Sequence, residues 1–198
     1  MIHFFRKIDL TQPTFLLLHG TGGNEHDLEP LAQIIESTYN ILSVRGDVSE
    51  HGMNRFFKRL SEGIFDEPDL IYRTHQLNSF IDQASLDYGF DRSKVIALGY
   101  SNGANIAASL LFHYKDALDK AILFHPMVPL RKALPDLHQV SVFISAGKMD
   151  PLCDPSVSQE LADLLTEAHA KVILHWENGG HNLTEAEIIA AKTWLEPL

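Results

Sequence analysis

The chain has 198 residues, of which 45% are hydrophobic and 21% charged, with a net charge of −10 and one cysteine. A chain of that size is expected to form one domain, residues 1–198, with a core large enough to need no staples, and the lone Cys153 excludes an internal disulfide framework. The acidic balance and the lack of a basic run exclude the clustered Lys and Arg that nucleic acid or an anionic membrane surface would need.

The first ten residues, MIHFFRKIDL, carry no charged leader before a long apolar segment and are a candidate edge strand of antiparallel sense. TFLLLH (14–19), NILSV (40–44), KVIALGY (94–100), KAILFH (120–125), VSVFISA (140–146) and KVILHW (171–176) are apolar almost throughout. Such runs predict a parallel sheet covered on both faces. Between them lie helical stripes: Leu28, Leu31 and Ile35; then Leu77, Phe80 or Ile81, and Ala84; then Val157, Leu161, Leu164, Leu165 and Ala168. Residues 45–67 read as one long irregular stretch, which in a compact domain is usually functional. Met53, Phe56 and Phe57 give it apolar surface. The last helix opens at Thr184 with Glu187 three residues on, a capping-box pattern. It buries Ile188, Ala191 and Leu195 and stops before Pro197. Alternation of strand and helix to the end makes the class α/β. No apolar run approaches the roughly 20 residues of a membrane span, so a cytoplasmic location without stable membrane association is expected.

In open α/β sheets ligands sit at the carboxyl ends of the strands. Four strand ends here deliver GTGGNEHD, Ser101, GKMDPLCD and ENGGHN to one edge. LGYSNGAN (98–105) holds the pattern G-x-S-x-G, which chance alone supplies in a chain this long on the order of one time in ten or less; its weight comes from the other three strand ends. A serine hydroxyl needs an adjacent base to attack a carbonyl, a histidine can carry that proton, and a buried carboxylate fixes the imidazole. Ser101, Asp150 and His181 follow the α/β-hydrolase chain order, and a strand, a tight turn and a helix surround Ser101 as a nucleophile elbow requires. The amides of Thr21 and Asn102 are the candidate oxyanion donors.

Taken together, LLLHGTGGNEHDLEPLA, GYSNGAN, GKMDPLCDP and GGHNLT resemble the phospholipase/carboxylesterase family of α/β hydrolases, a small lidless group that includes acyl-protein thioesterases. The resemblance covers roughly residues 14–195. SVRGDVSEHGMNRFFKRLSEGIFDEPDL is most similar to the bacterial carboxylesterase branch, some members of which are linked to resistance to quinone-type compounds. The resemblance implies an α/β-hydrolase fold with a mostly parallel sheet, helices on both faces and no large lid. It implies Ser101 as nucleophile, Asp150 as acid, His181 as base, and Thr21 and Asn102 as oxyanion donors. The expected reaction is hydrolysis of a small or short-acyl ester through an acyl-enzyme. Acyl thioesters or lysophospholipids are the alternative substrates, and a non-catalytic small-molecule receptor on the same scaffold is the alternative class.

The chain departs from the family pattern after the acid, where Leu152-Cys153-Asp154-Pro155 stands in place of a Val-Pro pair. Asp154 is therefore a second acid candidate, although Asp150 lies at the usual distance from the strand and glycine. Met53, Phe56 and the strand-end His125 are candidate pocket residues. His19 reads as bonded to loop backbone, and Cys153 as a small, partly buried residue. The eleven histidines are scattered, with no spacing that suits a metal, so neither metal nor other cofactor is expected. Dimers are common among such relatives, which leaves a homodimer as an open expectation.

Overall fold

A strand buried on both faces must divide its side chains between two helical layers, and β2 (Thr14–Leu18) does so. The computed structural model describes residues 1–196, and in it all five residues of β2 are buried. Phe15 and Leu17 pack with Leu28, Ile35, Ala191 and Leu195 on one face, and Leu16 and Leu18 pack with Leu77, Ile81, Ile106 and Leu161 on the other. Each such buried Leu or Phe contributes about 2 kcal/mol of transfer free energy.

The remaining strands of this sheet are β1 (His3–Arg6), β3 (Asn40–Val44), β8 (Val95–Tyr100), β9 (Lys120–Phe124), β10 (Ser141–Gly147) and β11 (Lys171–Glu177). Among the described residues the order is β1-β3-β2-β8-β9-β10-β11. All neighbours run parallel except β1, which is antiparallel to β3. Parallel neighbours need crossovers; α1 (Glu29–Ile35), α2 (Glu67–Tyr88), α3 (Asn102–His113) and α4 (Pro155–Glu167) lie in them, except that residues 125–140 link β9 to β10 without a helix, and α5 (Glu185–Leu195) ends the chain of elements. Helices α1 and α5 cover one face, and α2, α3 and α4 the other. The capping box at Thr184 and Glu187 is formed. Pro197, read as the stop signal for α5, lies outside the described residues. This is the α/β-hydrolase fold with no large lid.

Residues 45–67 depart from the irregular loop expected. They form two short hairpins: β4 (Val48–Glu50) with β5 (Met53–Arg55), and β6 (Arg59–Ser61) with β7 (Ile64–Phe65). His51 and Gly52 both have positive φ, 52° and 82°, which gives the mirror-image turn that matches strand twist. Strands of two or three residues are too short for a period to register. Phe56 and Phe57, between the hairpins, are buried in the core. Among the described residues, no helix is long and apolar enough to cross a membrane.

Candidate active site

The end of β8 turns so sharply into α3 that Ser101 adopts φ 51°, ψ −111°, a backbone conformation that costs a non-glycine residue free energy and persists only where its surroundings hold it. They do so here through close packing. A Cβ on Gly99 would lie 2.7 Å from the Ala104 nitrogen, and one on Gly103 would fall on the Leu18 carbonyl of β2. The Ser101 N–H donates to the Phe124 carbonyl at 2.9 Å. Ser101 occupies the N-cap position of α3, yet its side chain makes no cap hydrogen bond. Its Oγ instead lies 2.9 Å from His181 Nε2.

The other strand ends complete the line. His181 Nδ1 is 2.7 Å from Asp150 Oδ2, while the N–H groups of Leu152 and Cys153 donate to Asp150 Oδ1 at 2.8 and 3.0 Å. One carboxylate oxygen is thus fixed by backbone and the other accepts from the imidazole, which leaves Nε2 free to accept from Ser101. Burial alone would push the Asp150 carboxyl up; the hydrogen bonds from His181, Leu152 and Cys153 outweigh it and hold the group below its ordinary value. Asp154 is elsewhere: its side chain accepts from Ser156 N and caps α4.

Behind Asp150 stands His125, with its side chain fully buried. Its Nδ1 lies 3.2 Å from the same Asp150 Oδ2. Its Nε2 lies 2.9 Å from Glu187 Oε1, a close contact that lacks hydrogen-bond alignment. Glu187 also accepts from Ser145 Oγ at 2.7 Å and from the Thr184 N–H at 2.8 Å. Burial would raise this carboxyl, but His125, Ser145 and Thr184 bring it down to about 2. Ligand atoms of His125, Asp150 and His181 lie within 4.8 Å of one another, a spacing that a cation could share; both imidazoles converge here on a single carboxylate oxygen.

A cavity of about 350 Å³ opens beside Ser101, lined by Thr21, Asn102, Asn105, Tyr100, Arg55, Arg59, Phe65, Met127, Leu152 and His181 among others. The Thr21 N–H has no hydrogen-bond partner among the described residues, and Asn102, as the first residue of α3, has no intrahelical acceptor for its N–H.

The Phospholipase/Carboxylesterase family model matches residues 5–198. The chain belongs to this family. Such membership makes it a carboxylic ester hydrolase. It is 55% identical over 197 residues to MhqD of Bacillus subtilis (strain 168), a candidate hydrolase, covering 99% of this chain and 98% of that one. A Bacillus cereus carboxylesterase structure superposes with a TM-score of 0.95 at 58% identity, over 97% of this chain and 92% of that one. The structure of YahD with malic acid superposes with a TM-score of 0.93 at 32% identity, over 98% and 97% of the two chains.

In this phospholipase/carboxylesterase chain the expected pocket residues fall in different places. Met53 is exposed and packs against Gly22 of the glycine turn. Phe56 is buried against His19, with ring centroids 4.8 Å apart, and its N–H donates to Asn102 Oδ1 at 2.8 Å. His125 touches the cavity, but its nitrogens face Asp150 and Glu187. His19 is held by loop backbone, as read from the sequence: Nδ1 meets the Gly20 carbonyl at 2.6 Å and Nε2 accepts from the Gly46 N–H at 3.0 Å. Cys153 is buried, and burial pushes its thiol up to about 11. Sequence reasoning missed Arg55, Arg59, Asn105, Tyr100 and Glu187. Tyr100 Oη donates to the His181 carbonyl at 2.8 Å and so braces the loop that carries that imidazole. The one local signal for the arginines was three of them, Arg45, Arg55 and Arg59, in an otherwise acidic chain's longest connection.

Proposed function

We propose that the chain is a serine carboxylesterase for small or short-acyl esters, acting through an acyl-enzyme on Ser101. The observation that carries this reading is the continuous line from Ser101 Oγ to His181 to Asp150, with contacts of 2.9 and 2.7 Å. His181 Nε2 takes the Oγ proton as Oγ bonds the carbonyl carbon. The resulting oxyanion accepts from the N–H groups of Thr21 and Asn102, each worth about 3 kcal/mol to the transition state. Collapse breaks the bond to the alcohol oxygen, which leaves with the proton from His181. Water then attacks the acyl carbon, with His181 again as base, and releases the acid and Ser101. Asp150 stays ionised and holds the imidazole in the tautomer that both steps need. The partner in this reading is a small-molecule ester met in the cytoplasm, and the cavity of about 350 Å³ supports a small one.

The test is labelling by a fluorophosphonate probe together with hydrolysis of p-nitrophenyl butyrate. Ser101→Ala is expected to abolish labelling and to lower kcat/KM at least about 10⁴-fold. Equal labelling and turnover by wild type and variant would end the serine mechanism. A higher kcat/KM for long-chain acyl thioesters or lysophospholipids would end the short-ester choice.

A further inference from the structure

Resting on that reading, we propose that the cavity beside Ser101 takes esters that carry a second, free carboxylate, held by Arg59 and Arg55. The fold leaves several donors on this wall without a partner among the described residues. Asn102 Oδ1 accepts from the Phe56 N–H at 2.8 Å and Asn105 Oδ1 from the Met127 N–H at 2.7 Å. Backbone donors therefore fix both amides, and each must present its NH₂ end elsewhere. Asn102 is 2% exposed, lines the cavity, and its Nδ2 is buried with no hydrogen-bond partner among the described residues.

The arginines follow the same pattern. Arg55 is 3% exposed; its Nε donates to the Phe57 carbonyl at 3.2 Å and its Nη1 to Thr21 Oγ1 at 2.7 Å. Arg59 donates to Glu50 through Nε alone, at 2.9 and 3.1 Å. Among the described residues, Arg55 Nη2 and both Nη groups of Arg59 therefore have no acceptor. One carboxylate, Glu50, serves both guanidiniums, lying 3.2 Å from Arg55 and 2.9 Å from Arg59. Besides Glu50, a second carboxylate, Glu62, lines the cavity but is exposed, so solvent screens it. The wall near the reacting serine thus offers N–H groups from two guanidiniums and two amides. A guanidinium fork with free N–H groups matches a carboxylate in geometry as well as charge.

The chemistry is the hydrolysis already described, with the second carboxylate as a handle that takes no part in bond breaking. Compare release of ethanol from monoethyl succinate, diethyl succinate and ethyl butyrate. The half-ester is expected to have at least about a tenfold higher kcat/KM than ethyl butyrate. Arg59→Gln should cut that ratio at least about fivefold, and Glu62→Gln should raise it. On Ser101→Ala protein, succinate should raise Tm and succinamide should not, with the effect reduced when Arg59→Gln is added. A ratio at or below one that neither variant moves, with no Tm response to succinate, overturns the carboxylate subsite while Ser101-dependent hydrolysis of ethyl butyrate keeps the esterase reading intact. A Tm response through Arg59 in a protein that cleaves no ester would uphold the subsite and overturn the reaction.

Discussion

Gly103 carries a constraint that no side-chain rotamer can relieve. The position that a Cβ would take is occupied by main chain at the end of β2 and just beyond it, at the Leu18 and His19 carbonyls. Gly103→Ala is therefore expected to cost more than about 3 kcal/mol or to prevent folding, read from the urea midpoint; a loss under about 1 kcal/mol would show that the elbow can move aside. Backbone crowding of this kind writes itself into sequence as glycine, which is why G-x-S-x-G was legible. The roles of Arg55 and Arg59 were not. Whether an arginine is satisfied depends on which carboxylate lies across a hairpin, and Glu50 serves two of them. No local pattern records that shortage. Asn105 was equally silent, because its useful NH₂ end is set by the N–H of Met127, 22 positions away.

At the scale of elements, the loop and first turn of α4 separate two aspartates that the sequence left as rivals. Asp150 accepts from His181, whereas Asp154 accepts from Ser156 and ends its influence there. Asp154→Ala should cost about 1 kcal/mol of stability, as the loss of a cap does, with esterase kcat/KM unchanged. Asp150→Asn should lower kcat by about 10⁴-fold. The reverse pattern would reassign the acid. The central strands were readable because burial on both faces leaves unbroken apolar runs such as Phe15 to Leu18. The two hairpins were not, since their longest strands have three residues and only the turn glycines Gly52 and Gly63, both at positive φ, mark them. Helix α5 was readable from its capping box, but Thr184-x-x-Glu187 could not reveal that Glu187 Oε1 reaches across to Ser145 and His125 while Oε2 closes the cap.

Across the whole molecule, buried carboxylates set how the protein meets acid. Glu187 is held at about 2 against an ordinary value of 4.5, and Asp150 is lowered as well. Depressed folded values mean that the unfolded chain binds protons first. Their stabilisation is fully present above about pH 4.5 and is lost as pH falls toward 2. Urea midpoints should therefore drop steeply through that window. Glu187→Gln, which removes the carboxylate that accepts from Ser145 and Thr184, should be less stable at pH 7 by about 2 kcal/mol and should show a shallower acid slope; parallel slopes would show that Glu187 does not set the acid response. The division of labour along the chain has a further consequence for how this scaffold can diversify. Ser101, His181 and Asp150 follow the ends of β8, β11 and β10, while Arg55 and Arg59 sit in two separate hairpins, each of which pairs only within itself among the described residues. The first hairpin is tied to the glycine turn, through the Gly22 N–H on the Asn54 carbonyl and Arg55 Nη1 on Thr21 Oγ1, so a lineage that changes the molecules it accepts can redraw the second hairpin more freely than the first.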